Sequence, residues 1–295
     1  MKENLKWALV LSGGGARGIA HIGFLKGLEA AGFPEPSLVV GTSMGAIIGG
    51  LYACGMGSSE MTRLMIEEFK ISDYLESFVF KIDGPVGQIF QTGQVLASLA
   101  THPGVDKGQR VLELFEKLTG KKTFEETKIP FRCNAVDLVS GREVVFRSGP
   151  VAKAMRASMS FPVFFEPLME DGMCLVDGGL ADNMPVAIAR KEGYSHVLAV
   201  NVNRFPPIDL EELKGGPRII IRSIESILHT MDRDKKDRAE LTVDATDDAT
   251  PFSFFRKKEF ITLGERIVWV NMKILEDFFE PRYSMFETPR VCGLE

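Results

Sequence analysis

Short apolar runs alternate with amphipathic stretches at the start of the chain. LKWALVLS (5–12) is almost unbroken in its apolar character and predicts a buried strand, whereas IAHIGFLKGLEAAG (19–32) spaces its apolar positions as a helix does until a glycine stops it. SLVVG (37–41) predicts a second strand and MGAIIGGLYACG (44–55) a second helix. Two strand–turn–helix units in series predict parallel pairing through a right-handed crossover. Residues 57–128 carry mostly helical patterning, interrupted by FVFKIDGPVGQIFQTGQ (78–94), whose glycines, proline and aromatics fit either a mobile flap or a plain connecting loop.

From 129 the strand pattern returns, in IPFRCNAVDL (129–138) and REVVFRSG (142–149). FPVFFEPLM and MCLVDGG then flank Glu170-Asp171-Gly172, where Asp-Gly marks a hairpin turn. Asn183 reads as the N-cap of a helix MPVAIARKEG, with Pro185 in its first turn and Gly193 ending it. SHVLAVNV (195–202) predicts another strand; a long helix near 222–240, an acidic loop VDATDDAT and a final helix of about 258–279 follow. There is no repeat, no low-complexity tract and no clear linker. The expectation is one domain over 1–295, a three-layer α/β/α sandwich around a central, mainly parallel sheet, with the motifs in 5–203 and a helical part in 204–295.

Composition narrows the picture only a little. A chain of 295 residues, 45% hydrophobic and 25% charged, is an ordinary globular protein with a sizeable core. A formal charge of −5 gives no electrostatic reason to bind nucleic acid, and none for global attraction to anionic lipid. Cys54, Cys133, Cys174 and Cys292 are far apart and form no CxxC, so they read as reduced thiols with neither a zinc site nor a disulfide framework. The apolar run in MKENLKWALVLSGGG is too short for a signal peptide. No window approaches the roughly 18 apolar residues of a membrane span. The expectation is a cytoplasmic protein.

Two glycine-rich turns carry the chemistry. GTSMG (41–45) fits G-x-S-x-G between a strand and a helix. Ser43 would then sit on a tight turn with its hydroxyl projecting from the carboxyl end of the sheet, where Gly41 and Gly45 leave room for the turn and for an approaching carbonyl. The alternative is a glycine-rich turn with an incidental serine. SGGGARG (12–18) also joins a strand to a helix, and Gly13, Gly15 and Gly18 formally satisfy G-x-G-x-x-G. A dinucleotide site expects an acidic residue at the end of the next strand, which instead ends in Gly41-Thr42-Ser43; a P-loop expects Lys-Ser/Thr after the glycines, and none follows. What remains is a nest of backbone N–H donors able to hold an oxyanion. Arg17 either bonds the carbonyls of that loop or lies on the surface at the start of the helix.

If Ser43 is a nucleophile, it needs a base. His21 falls one turn into the first helix, His196 opens a strand at the opposite edge of the sheet, His229 lies among charges on a late helix, and His102 belongs to a loop. Asp177, in CLVDGGLADN, is delivered by an apolar strand, and Gly178 and Gly179 let another backbone pass close to its carboxylate. It is either that base or part of a plain Asp-Gly-Gly turn.

Together GGGARG, GTSMG and DGG resemble, in order and spacing, the oxyanion loop, nucleophile turn and aspartate of the patatin-like phospholipases. Ala157-Ser158-Met159-Ser160-Phe161-Pro162 is similar to a fourth block of that family, as are TFEETKIPFRCNAVDLVSGREVVF and DGGLADNMPV. The resemblance covers about 5–203 well and the C-terminal ninety residues loosely. It implies an α/β/α fold with a Ser43–Asp177 dyad that uses no histidine. It also implies an oxyanion hole drawn from Gly13, Gly14, Gly15, Ala16, Arg17 and Gly18, and hydrolysis of fatty-acyl esters of phospholipids, lysophospholipids or related lipids without metal or cofactor. The acid limb of the rate profile is then expected nearer an aspartate's value of about 4 than a histidine's of about 6.5, unless burial moves it. An acyltransferase or thioesterase could use the same dyad, and a regulatory lipid-binding protein could keep the fold without turnover. Peripheral contact with a membrane would fall to FSFFRKKEF (252–260), which joins phenylalanines to a basic cluster, or to the 78–94 flap.

Overall fold

In a computed structural model, residues 5–70, 73, 104–233, 239–280 and 290–293 are described. The 78–94 stretch and His102 lie outside them. In chain order the first elements are strand β1 (Ala8–Leu11), helix α1 (Ala20–Ala30), β2 (Leu38–Gly41), α2 (Met44–Ala53) and α3 (Ser58–Arg63). Then come β3 (Gly104–Asp106), α4 (Gln109–Leu118), β4 (Phe131–Asp137), β5 (Arg142–Phe146) and α5 (Val151–Ser158). Strands β6 (Val163–Phe165), β7 (Leu168–Glu170) and β8 (Met173–Asp177) lead into the short helix α6 (Gly179–Asp182), α7 (Val186–Lys191) and β9 (Val197–Asn201). The rest is α8 (Gly216–Arg233), β10 (Leu241–Asp244), α9 (Lys257–Val270), α10 (Met272–Phe279) and β11 (Arg290–Cys292).

Both faces of the central strands are covered, which is why their sequences are apolar without alternation. On β1, Leu9 and Leu11 join a core with Phe24 of α1, Ile48 of α2 and Met155 of α5. Ala8 and Val10 pack the other way, against Val186, Ile188 and Ala189 of α7. The sheet runs β11-β10-β9-β1-β2-β4-β8-β7, with β5 on the free side of β4. Pairing is parallel from β11 through β4 and antiparallel at β5, β8 and β7. The expected three-layer, mainly parallel α/β/α arrangement is what the chain adopts.

Strand β4 does the unusual thing in this sheet. Its seven residues pair with β2 at their beginning, Gly41 opposite Cys133, and with β8 at their end, Asp177 opposite Ala135. Because β5 runs along the other side of Cys133 to Asp137, β2 and β8 share one edge and approach each other head to head. The carboxyl ends of two strands distant in sequence therefore meet across Asn134.

Several local expectations are corrected. Asn183 does not cap the helix after it: it closes α6 in helical conformation, and Pro185 holds the cap position of α7. The long helix begins at Gly216, six residues before its expected start, because Arg218 and Arg222 find partners in the preceding loop. The acidic stretch VDATDDAT opens as the last two residues of β10, which the sheet recruits beside β9. The final helix breaks at Asn271, whose side-chain amide donates to Ile267 O and Gly293 O. A strand, β3, stands in a region of helical patterning, paired with β6. The Asp171-Gly172 hairpin forms as expected, with φ of 50° and 77° at those residues.

The C-terminal part is seated on the first helix at two glycines. A Cβ at Gly23 of α1 would stand 1.9 Å from Ile261 O, and one at Gly264 of α9 would stand 1.9 Å from Ala20 O. The helices touch backbone to backbone, a contact no larger residue allows. Gly23→Ala is therefore expected to destabilise the fold by about 1–3 kcal/mol in urea denaturation, the usual range for overpacking. Gly216→Ala, whose Cβ meets nothing within 4 Å, should change it by no more than about 0.5 kcal/mol. Equal midpoints for the two variants would show that the helices part without cost.

Candidate active site

Ser43 follows the end of β2 in a conformation few residues tolerate, φ 54° and ψ −120°, and opens α2. Such backbone is held only where its surroundings over-determine it, at a cost on the order of 1–3 kcal/mol. The surroundings are visible here. A Cβ on Gly45 would lie 2.2 Å from Leu11 O, and one on Gly41 would lie 2.3 Å from Gly45 O, so both glycines of the motif are required for closure of the turn against β1. The Ser43 N–H donates to Ser158 Oγ at 2.9 Å. The Thr42 hydroxyl lies 2.8 Å from Asn134 Oδ1 and 3.0 Å from Asp182 O.

Asp177 arrives from the other direction, as the last residue of β8. Its N–H donates to Ser160 O, and the next N–H, that of Gly178, donates to Ser158 O. The 157–162 block thus brackets both backbones: one serine hydroxyl receives the Ser43 amide, and two serine carbonyls receive the aspartate strand. Ser160 is fixed in turn by Arg156, a buried side chain whose guanidinium also donates to Lys107 O, Gly108 O and Glu166 O. Gly178 is needed because a Cβ there would sit 2.3 Å from Asn134 Oδ1.

The Asp177 carboxylate is buried. It accepts the Gly179 N–H at 2.8 Å. Burial penalises its charge and raises its pKa from 3.8 to about 6; the bonds from Ser43 and Gly179 offset part of that rise. The structure therefore brings the two residues singled out in the sequence to the same gap beside Asn134, where the Ser43 side chain acts on the Asp177 carboxylate.

The glycine loop lies over the serine: a Cβ at Gly13 would be 3.2 Å from Ser43 Cβ. Two of its amides are already engaged, Gly13 N–H with Asn183 O at 3.0 Å and Ala16 N–H with Pro251 O at 2.7 Å. Among the described residues the Gly14 and Gly15 N–H groups meet no protein acceptor. Gly15 has a positive φ of 58°, and a Cβ there would meet Pro251 O at 2.3 Å, so only glycine turns these amides outward. A Cβ on Gly18 would meet Met44 Cγ at 2.4 Å, which sets the spacing between the loop and α2. Arg17 is buried, with Nε on Gly14 O at 3.3 Å, one terminal nitrogen on Arg204 O and the other on Asn203 Oδ1. Of its two readings, the loop-bonding one is realised.

No described histidine reaches Ser43. His21 is fully buried, with Nε2 2.9 Å from Ser12 O and Nδ1 without a partner among the described residues. Burial lowers its pKa to about 4, so the ring is neutral and Nε2–H supports the start of the glycine loop. His196 bonds Phe278 O at the amino end of β9, and burial lowers its pKa too. His229 stacks on Phe205. Among the described residues no group of three or more His, Cys, Asp or Glu gathers to hold a metal.

Asn134 and Asn183 are the site residues that sequence reasoning missed. Asn134 Nδ2 donates to Glu143, Gly178 O and Asp182 O, so one buried amide ties β4 to both approaching turns. The available signal was a lone amide inside the otherwise apolar or paired run FRCNAVD. Asn183 carries the carbonyl that holds Gly13, a use that its local cap-like context conceals.

Comparison with known proteins gives the family. A family model described as patatin-like phospholipase matches residues 9–190. Lysophospholipase nte1 of Emericella nidulans is 35% identical over 198 residues, 66% of this chain and 12% of that protein. Patatin-like phospholipase domain-containing protein 6 of Homo sapiens is 34% identical over 205 residues, 69% of this chain and 14% of that protein. The chain thus spans only a small part of the length of these relatives. The crystal structure of VipD from Legionella pneumophila superposes with a TM-score of 0.51 at 16% identity, covering 92% of this chain and 67% of that one, a likeness of fold. With well over half of its length matched and the serine, aspartate and glycine loop assembled as described, the chain belongs to the patatin-like phospholipase family.

Proposed function

We propose that this chain is a serine acyl hydrolase that cleaves fatty-acyl esters of phospholipids, lysophospholipids or related lipids with a Ser43–Asp177 dyad. The observation that carries this reading is the meeting of the Ser43 turn, just after β2, with the buried Asp177 that ends β8, across Asn134 and beneath the glycine loop; burial raises the Asp177 pKa to about 6. A carboxylate of that basicity is ionised at neutral pH and accepts a proton more readily than an ordinary aspartate.

In the first half-reaction Ser43 Oγ forms a bond to the ester carbonyl carbon while its proton passes to Asp177. The negative charge moves to the carbonyl oxygen, toward the Gly14 and Gly15 N–H groups. Collapse of that intermediate breaks the bond to the alcohol, which leaves with the proton from Asp177. In the second half water attacks the acyl-serine, gives a proton to Asp177, and the fatty acid departs as Ser43 regains its hydrogen. Donors already fixed by Arg17 and Pro251 need no rearrangement as charge develops, which is what makes such stabilisation effective. Four unpaired cysteine thiols support a reducing, cytoplasmic setting. No helix among the described residues is long and apolar enough to cross a membrane, so contact with lipid on this reading is peripheral.

Labelling by a fluorophosphonate probe and turnover of a short p-nitrophenyl ester test the dyad. Ser43→Ala should abolish labelling, and both Ser43→Ala and Asp177→Asn should lower kcat by about 10³-fold or more. A folded Ser43→Ala protein that still labels would sink the assignment.

The pH profile discriminates further. With Asp177 as base, kcat/KM should rise through an acid limb at about 6. A limb near 4 would instead mean that the carboxylate keeps an ordinary aspartate's basicity in spite of its burial.

Stability carries the same signature with the opposite benefit. Because the folded-state pKa of Asp177 lies above its ordinary 3.8, its ionisation costs stability; the cost is complete above about 6 and gone below the ordinary value. Asp177→Asn is therefore expected to be more stable than the wild type at pH 8, by on the order of 2–3 kcal/mol, with the gain fading toward pH 4. Denaturant titrations of both proteins at pH 4 and pH 8 check this; a gain independent of pH would contradict it.

A further inference from the structure

The 252–260 stretch supplies less of an anchor than its sequence implies. Phe252 stacks on Phe164 at 4.7 Å, Phe254 packs against the core, and Phe260 is buried. Arg256 pairs with Asp247 and Glu259, and Lys257 donates to Met65 O and Phe69 O. Phe255 alone of these phenylalanines is exposed, at 87%. It stands in the turn just after Pro251, the residue that holds the glycine loop.

Other exposed apolar side chains lie around the same edge of the sheet. Leu138 and Val139 form the β4–β5 tip, and Met169 pairs with Cys174 beside them on the β7–β8 hairpin. These strands run outward past the dyad: Cys174 is three residues beyond Asp177, about 10 Å at strand rise. Leu210 is 81% exposed in the connection leaving β9. Helix α8, which packs against α6 just after Asp177, turns Ile219, Ile220 and Ile227 to solvent together with Ser223, Ser226 and Thr230. Three of its charged side chains are engaged: Arg222 lies over the Phe205 ring at 3.5 Å and bonds Glu225, and Arg218 pairs with Glu212. The outer face thus carries apolar side chains where a surface helix usually places charge, while Ile221 is buried on the inner one. Among the large apolar side chains exposed in the described residues, only Trp269, Val270 and Val291 lie elsewhere, on the end of α9 and on edge strand β11.

We propose that this rim, the outer face of α8 together with the β4–β5 and β7–β8 tips and Phe255, is the surface by which the protein docks on a zwitterionic phospholipid layer. The inference rests on the acyl-hydrolase reading, which places the ester at the same edge. A membrane is favoured over a protein partner because the apolar residues come from separate segments that surround the Ser43 edge rather than forming one groove. The rim also carries little net charge with which to attract anionic lipid: Arg204 pairs with Asp248, Lys153 with Glu170, and Lys214 with Glu211. Docking is thus apolar and indifferent to lipid charge.

Flotation with phosphatidylcholine vesicles tests this. The wild type should float with them equally well at low salt and at about 0.5 M salt, where surface electrostatics are screened. Ile219→Ser/Ile220→Ser/Ile227→Ser and Leu138→Ser/Val139→Ser/Met169→Ser should each weaken vesicle binding by about tenfold or more. Hydrolysis of a soluble p-nitrophenyl ester should be unchanged in both. Undiminished flotation of the variants, or binding that needs anionic lipid and vanishes at high salt, would overturn the surface assignment. A wild-type dimer in sedimentation that the same substitutions dissociate would transfer the face to a second copy of the chain. Failure of the ester assay in wild type would count against the hydrolase reading alone, because flotation is scored independently.

Discussion

Everything at this site depends on one edge of β4 being shared by two strands that meet head on. Parallel β2 and antiparallel β8 stop two β4 positions apart, at Cys133 and Ala135, and the residue between those positions is Asn134. At that gap the ladder hydrogen bonds of a continuous strand are missing, and side chains replace them. The Asn134 amide donates to Glu143, Gly178 O and Asp182 O and accepts from Thr42, while Ser158 and Ser160 complete the set from α5. Buried polar groups are costly unless paired, and here side-chain donors and acceptors stand where ladder bonds are lost. The convergence creates the candidate site because Asp177 ends β8 and Ser43 lies in the turn just after the end of β2.

The same geometry sets the electrostatics. A carboxylate at a strand terminus inside the sheet edge is removed from water, and with only Gly179 N–H and Ser43 as hydrogen-bonding compensation its basicity rises. Ser43 in turn is held in a strained backbone by glycines that let α2 press against the end of β1. Both features oppose stability locally and are held in place by the apolar core on either face of β1 and by the glycine contact of α1 with α9. Backbone strain and a buried charge concentrated at one spot are features that cluster at functional sites.

The molecule is also polarised end to end. Among the described residues, the loops and helices that leave the carboxyl edge carry Ser43, Asp177, the Gly14 and Gly15 amides and most of the exposed large apolar side chains, while the amino ends of the central strands are closed by Trp7, His196 and the aromatic pair Phe278 and Phe279. Parallel sheets gather their reactive loops at one end because every crossover returns the chain to the other. A reaction on a water-insoluble ester would use that asymmetry directly.

Much of this was legible in the sequence. The unbroken apolar runs at β1, β2 and β9, the Asp-Gly hairpin and the glycine motifs are local statements, and local sterics and burial determine them. The resemblance of GGGARG, GTSMG and DGG, in order and spacing, to the motifs of the patatin-like phospholipases nominated Ser43 and Asp177. Other features depended on partners far along the chain. The cap-like context of Asn183 gave no sign that its carbonyl would hold Gly13, and the acidic look of Val243-Asp244 did not reveal a strand that only β9 could recruit. The basicity of Asp177 and the neutrality of His21 follow from burial, which no window of sequence contains. The sequence determined which groups could react, because their chemistry and turn geometry are intrinsic. Tertiary structure alone decided which of them meet, and in what dielectric, because contact and desolvation arise only when distant segments pack.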